Sequence, residues 1–426
     1  MRHLRARAIA SKRGCVRRGL ENDPGGLEGP PSAIREFVQV TLLSLKEGLP
    51  VADRTDFVAY FSILPDPRVD RTKKHRLIDI LFIAVCTIIC GGESFTDMQD
   101  FGEAKQAWLS KLLELPHGIP SHDTFGRVFS LVDPQAFGEC FLRWSAALHE
   151  ATKGEVIALD GKTLRHSFDA ATGKSALHLV SAWATRNGIA LGQLKVDGKS
   201  NEITALPALL KMLDVKGCVV TMDAMGCQKD LATQITEQGG DYVLCLKGNQ
   251  GSLHEETRYF FEEAKKLKFR DVPYAYQETV EKDHGRIEVR RCWMVEETAI
   301  EWLDKQDQWP GLASIAAVEA ERRIGKKKTK ETRYFISSLQ GNVRQLAQAA
   351  RQHWGIENSL HWVLDVIMNE DQSRIRKDHA PENMALMRRL ALNLIKKAKP
   401  PKKSVRGSIK RAGWDNAFLE AILVAG

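Results

Sequence analysis

The stretch VIALDGKTL, Val156–Leu164, sets an apolar run against an acid and then Gly-Lys-Thr. Two readings compete for it. In the first, Gly-Lys-Thr is the tail of a phosphate-binding loop, which needs a second glycine five positions before the Gly of that triplet. That position is Val156, inside the apolar run, and the nearest glycine, Gly154, is out of place. The phosphate-loop reading fails on spacing. In the second, Asp160 closes a buried strand and is the functional residue. Gly161 then turns the chain away from the strand, and Lys162 meets phosphate as a side chain.

Downstream, ALHLVSAWA and ALGQLKV read as two strands around the hairpin-like turn TRNG. EITALPALLKMLD is an amphipathic helix, with Ser200 and Asn201 as natural caps. CVVTMDAM is a near-continuous apolar strand, as buried parallel strands are. CQKDLATQITEQG is a helix ending on Gly239 and Gly240, and DYVLCLKG is a further strand. Three strands, helix, strand, helix, strand predicts an α/β domain with a mixed sheet. Residues 251–330 break this alternation and read as a β-rich insertion of two hairpins, the second with a very basic tip. Helical texture returns in VRQLAQAARQHWGIENSLHWVLDVIM and again in HAPENMALMRRLALNLIKKAKPPKK, whose end is basic.

Upstream, residues 1–50 are a basic, disordered extension and linker. Seven Lys/Arg precede the first acid, Glu21, and NDPGGLEGPPS is Gly/Pro-rich. Residues 51–150 are helical. LIDILFIAVCTIIC is 14 residues long and carries Asp79, too short to span a bilayer, so it reads as a buried helix. A helix over residues 96–115, a tight connection at HGIPS and a helix capped by Ser121 or Asp123 give the outline of a helix-turn-helix. Two packed helices of any kind look the same. Residues 151–250 with 331–397 form the α/β domain, and 398–426 a basic tail. The eight cysteines contain no CxxC pair, which excludes a zinc site of common spacing and fits a reducing cytoplasm. The net charge of +8 favours a polyanionic partner, nucleic acid first.

Asp223 closes the strand of VVTMDAM as Asp160 closes VIALD. Acids at the ends of buried parallel strands stand at the crevice edge of an α/β sheet. In RQHWGIENSLHWVLDV, His353, Glu357, His361 and Asp365 share one polar stripe at helical spacing, opposite Ile356, Leu360, Val363 and Ile367. Alone, such a stripe reads as a solvated face. With two strand-end acids, Glu357 supplies a third carboxylate. Two like charges about 4 Å apart repel by roughly 4 kcal/mol at an effective dielectric near 20. A hard divalent cation such as Mg²⁺ resolves that repulsion, and two of them clamp the oxygens of an in-line phosphoryl displacement.

The chain resembles DDE insertion-sequence transposases, in the branch of H-repeat-associated proteins. The resemblance runs from about residue 57 to 397. It rests on LPDPR, DGKTLRHS, KSNEITALP, TMDAMGCQKD, GGDYVLCLKGNQG, HGRIEVR and HWGIENSLHWVLDVIMNED, in that order. It implies an α/β fold with a ribonuclease-H-like catalytic core, preceded by an all-helical N-terminal domain and interrupted by the β-rich insertion. Asp160, Asp223 and Glu357 would be the catalytic, metal-binding trio for two Mg²⁺ or Mn²⁺ ions. Around the glutamate the chain departs from the Tyr, Arg, Glu, Lys signature of related transposases: Ala350, His353 and Leu364 stand at the other three places. Phosphate contacts are therefore assigned by hypothesis to His353 and His361, and to Lys162, Arg165, Lys247 and Asn249. The implied partners are the element's terminal repeats, target DNA and a second copy of the chain, in a bacterial cytoplasm at the nucleoid. The competing readings are a nuclease of the same fold that no longer transposes, and a DNA-binding protein without catalysis.

Overall fold

The computed structural model describes residues 57–149, 154–168, 173, 175–196, 202–283, 285–296, 299–300, 303, 308–400 and 403–425. The basic extension, the caps at Ser200 and Asn201 and His284 of HGRIEVR lie outside these.

Strands β1 (Val156–Leu164), β2 (Leu177–Ala184) and β3 (Ile189–Lys195) form an antiparallel meander. Helix α7 (Glu202–Lys211) then leads to β4 (Val219–Met222), and α8 (Lys229–Glu237) to β5 (Asp241–Leu246). Both later strands run parallel to β1, as the element order predicts. β4 is buried along its whole length, as is the first half of β1. Helices cover a central parallel strand on both faces, so its residues are apolar without alternation.

The expected β-rich stretch begins instead with a helix, α9 (Gly251–Lys266), and continues as β6 (Ala275–Asp283), β7 (Arg286–Glu296), β8 (Ser314–Ile324) and β9 (Lys327–Ser337). Its last strand pairs antiparallel with β5. The two hairpins therefore extend the main sheet, which has nine strands in the order β3-β2-β1-β4-β5-β9-β8-β7-β6.

Upstream, every regular element among the described residues is helical: α1 (Phe57–Phe61), α2 (Leu77–Ile89), α3 (Phe95–Ala104), α4 (Gln106–Leu109), α5 (His122–Leu131) and α6 (Pro134–Leu148). The apolar run forms α2, buried almost throughout, with Asp79 neutralised by Arg76 at 3.0 Å. No described helix is long and apolar enough to cross a membrane. The single helix expected over residues 96–115 breaks at Lys105. There the ammonium binds Asn416 at 2.7 Å, and Trp108 Nε1 donates to Glu420 at 2.6 Å. The connection from α3 to α5 thus includes a helical turn, and the tight helix-turn-helix outline is not kept. Ser121 does cap α5.

Helix α10 (Val343–Ile356) packs on the central strands, and α11 (Ala380–Ala398) is the buried spine of the molecule. Asn393 exchanges two 2.8 Å hydrogen bonds with the backbone of Ala190 in β3. Asn383 donates to the carbonyls of Phe129 and Val132 at 2.9 Å. One helix thus fastens the sheet to the N-terminal helices, and residues 55–426 form a single compact unit. The expected basic tail holds two more helices, α12 (Val405–Trp414) and α13 (Asn416–Val424), whose buried residues join the main core.

Candidate active site

The parallel ladder between β1 and β4 ends at the pair Leu159 and Met222. The next residues are Asp160 and Asp223. Two adjacent parallel strands therefore present carboxylates at the same level, where their pairing stops. Asp223 Oδ1 accepts from the backbone N–H of Met225 at 2.8 Å and of Gly226 at 3.4 Å, which fixes the turn after β4.

Asp160 ends that ladder but does not end β1. The strand runs on to Leu164, paired only with β2, where Gly161 faces Val180 and Leu164 faces Leu177. Gly161 is therefore not a turn. It is small for another reason: a Cβ there would lie 2.1 Å from Oε1 and 2.2 Å from Cδ of Glu202.

The third acid arrives on α10. That helix is α-helical to Ile356 and then widens into two π-helical segments, Glu357–His361 and Val363–Ile367. The N–H of Met368 reaches back to Val363 at 3.2 Å. π-Segments inside helices frequently mark functional sites. Three members of the polar stripe face the sheet, while Glu357 stays exposed. His353 Nδ1 lies 3.1 Å from Thr221 Oγ1 on β4, His361 Nδ1 lies 3.5 Å from Asp160 Oδ2, and Asp365 pairs with Lys162. Ile356, Leu360 and Val363 are buried on the other side.

The charges feel one another. Burial first, then the negative charge of Asp223, and to a lesser degree of Glu202 and Glu357, push the Asp160 carboxyl up to about 7. Burial and Asp223 also raise Glu357, against the opposing pull of Arg333 and Lys247. Burial holds His353 down to about 4 and His361 down to about 3, so both imidazoles are neutral near pH 7. Among the described residues, no three His, Cys, Asp or Glu side chains are placed so that they could hold a metal ion as they stand.

The other expected contacts divide. Arg165 is exposed, with Asp371 3.6 Å away, and Lys247 is exposed at the end of β5. Asn249 donates to the carbonyl of Ala224 at 2.5 Å, tying the loop after β5 to the loop after β4. Lys162 is buried and turned inward. It pairs with Asp365 and, at 2.5 Å, with Glu370, which Arg389 also holds at 2.9 Å. Burial works against the Glu370 charge, yet Arg389 and Lys162 keep its carboxyl down at about 2. The ammonium of Lys162 is committed to the core of the protein.

Two residues near the trio escape a reading by spacing. Arg333 on β9 stacks over Trp354 at 4.1 Å and faces Glu357 electrostatically. Glu202 opens α7 and accepts from His178 Nε2 at 2.7 Å. Its signal was the acid within KSNEITALP, where the helical pattern made it one more first-turn residue.

The family pattern described as "DDE_Tnp_1-associated" matches residues 58–145, and that described as "Transposase DDE domain" matches residues 151–394. The chain belongs to the DDE transposase family, in its H-repeat-associated branch. It is 42% identical to "Putative transposase YncI" of Escherichia coli O157:H7, across 86% of this chain and 94% of that one. It is 41% identical to "H repeat-associated putative transposase YhhI" of Escherichia coli K12, across 85% and 96%. Among solved structures, a piggyBac transposase synaptic complex with hairpin DNA aligns over 86% of this chain and 77% of its own. Its identity is 10% and its TM-score 0.37.

Proposed function

We propose that this chain is a DNA transposase that cuts at the ends of its element with water and then joins the freed 3′ hydroxyl to target DNA. Asp160, Asp223 and Glu357 would be the residues that hold two Mg²⁺ or Mn²⁺ ions. The observation that carries this reading is the register of β1 and β4. It sets Asp160 and Asp223 side by side one residue past Leu159 and Met222, under the helix that brings Glu357. Strands β3-β2-β1-β4-β5, with β1, β4 and β5 parallel, have the order of a ribonuclease-H-like core, which supports the same assignment.

The donor set fits a hard cation. All three donors are carboxylates, and the Asp160 carboxyl is raised to about 7 while only protein surrounds it. Burial is the larger cause and repulsion by Asp223 adds to it; a divalent ion would relieve both by giving the charged form a partner. Bound there, the ions would lower the pKa of water and neutralise charge gathering on the phosphoryl oxygens. The protein's own residues do the rest. Asp160 sits on a rigid strand and Asp223 one residue past another, so they define the site, and Glu357 closes it from the widened helix. His353 and His361, both neutral, add no positive charge to compete with the cation. Lys247 and Arg333 stand beside Glu357 on the rim, where a phosphate backbone would approach. Exposed Arg165 extends that rim, and two copies of the chain would pair the two element ends.

The test is Mg²⁺-dependent cleavage of a plasmid carrying the DNA that flanks the gene, by wild type and by Asp223→Asn. Cleavage by wild type and not by the variant is expected. Equal cleavage by both would sink the assignment of the site. Nicking without joining would favour a nuclease that no longer transposes.

A further inference from the structure

Glu202 lies against the backbone of β1 immediately beside Asp160. Its carboxylate fills the space a side chain at position 161 would take, with Oε1 and Oε2 only 2.1 and 2.8 Å from where that Cβ would be. Any residue but glycine there would collide with it. The carboxylate is also held from behind. His178 Nε2 donates to Oε1 at 2.7 Å, and His178 Nδ1 lies 2.7 Å from Thr163 Oγ1, its cross-strand neighbour. Glu202 sits in the first turn of α7.

Side chains alternate along a strand, so residue 161 faces the opposite side of β1 from Asp160. That does not separate Glu202 from the trio. β4 pairs with β1 only as far as Leu159, so beyond that point no strand covers this edge of β1. A ligand at such an edge can be reached from both faces. On the Asp160 side, His361 is 8% exposed and keeps an Nε2 atom with no hydrogen-bond partner.

We propose that Glu202 is a fourth carboxylate of the cation site, reaching this edge of β1 from the face opposite Asp160, with His178 as its positioning residue. This rests on the three-acid reading above. A fourth acid lets the site bring more negative charge to its ions while the strands supply only two ligands. It also gives Gly161 a role: the glycine makes room for a carboxylate. The alternative is that the glutamate–histidine pair only fastens α7 to the sheet.

The two are separated by Mn²⁺ binding to the full-length protein, followed by electron paramagnetic resonance without DNA, for wild type, Glu202→Gln and Asp223→Asn. Glu202→Gln should bind Mn²⁺ about tenfold or more weakly, with its melting temperature in EDTA unchanged. A variant that binds Mn²⁺ as wild type does, whether or not it melts lower, overturns the inference. If Asp223→Asn is weakened at the same time, the three-acid reading survives it. Unchanged affinity in both variants, or no uptake by wild type, overturns both. Should Glu202→Gln not fold, Gly161→Ala and Glu202→Ala, singly and together, make the same test. Gly161→Ala should weaken Mn²⁺ binding in the wild-type background and have little further effect beside Glu202→Ala. Additive losses would overturn the proposal.

Discussion

Carboxylates gather at two places along one sheet, in opposite electrostatic states. At the end of the β1–β4 ladder, burial first, then Asp223, with Glu202 and Glu357 adding to it, drive Asp160 up to about 7. On β8, Glu319 and Glu321 are ringed by cations. Arg291 reaches both at 3.2 and 3.3 Å, Lys330 holds Glu319 at 2.9 Å, and Lys328 holds Glu321 at 3.1 Å. Hydrogen bonds from Lys328 first, with Arg323 and Arg291, keep the Glu321 carboxyl down at about 2. Acids with their counter-ions built in are structural. Acids assembled without them are the ones a cation from outside would stabilise most. The Lys162, Glu370 and Arg389 cluster shows how close the two states can lie, because it starts only two residues from Asp160 on the same strand.

The largest loss of stability is expected at that cluster. Glu370 has no exposed side-chain surface, and its charge rests on Lys162 and Arg389. Removing one partner of a buried pair costs about 3–5 kcal/mol. Lys162→Met should therefore unfold at markedly lower urea, with the slope of the transition unchanged. A loss below about 1 kcal/mol would place Lys162 among ordinary surface pairs, and would reopen it as a phosphate contact.

A smaller effect, but a sharper test of the comparison, comes from pH. The Asp160 carboxyl is raised on folding. The stability its protonated form supplies is complete below the unfolded value near 3.8 and is lost as pH rises through about 7. Glu321 is lowered, so its contribution is complete above the unfolded value near 4.5 and is lost as pH falls through about 2. In EDTA, the metal-free protein should weaken on both sides. Asp160→Asn should flatten the limb toward pH 7 and be the more stable protein there, and Mg²⁺ should stabilise wild type but not the variant. Glu321→Gln should flatten only the acid limb. An Asp160→Asn profile that superposes on wild type in EDTA would break the contrast between the two regions.

Much of this was legible in the residues, for reasons that also mark where legibility stopped. The apolar runs at Val156 and Val219 gave the parallel strands, because a strand buried on both faces needs no alternation. Asp160 and Asp223 stood out as acids ending those runs. The end of β1 was misread because Asp-Gly is a good turn, and only the partner strand β2, arriving from elsewhere, keeps residues 161–164 extended. The inward set of Lys162 could not be read, since Glu370 and Arg389 lie some two hundred residues away. The polar stripe on α10 was found by its spacing, but its direction depends on the sheet it covers. The π-segments after Ile356 carry no residue pattern of their own. Helices α12 and α13 were hidden by the lysines and prolines before them. Lys105 and Trp108, far back in the chain, supply their partners.

The mildest effect belongs to the rim, where the contrast between committed and available charge becomes a measurement on DNA. Lys247 is exposed at the end of β5, and its charge acts on Glu357. A lysine that meets one phosphate releases about one counter-ion, so its loss lowers the salt dependence of binding by about one in slope and weakens all sequences alike. Lys247→Ala should do this in a salt titration of DNA binding while leaving unfolding in urea unchanged. Lys162→Met should do the reverse, because its ammonium faces Glu370 and not the rim. If the slope for Lys247→Ala stays at the wild-type value while cleavage falls, the lysine screens Glu357 and does not grip the backbone. The phosphate contacts would then have to begin elsewhere, with exposed Arg165 the next candidate.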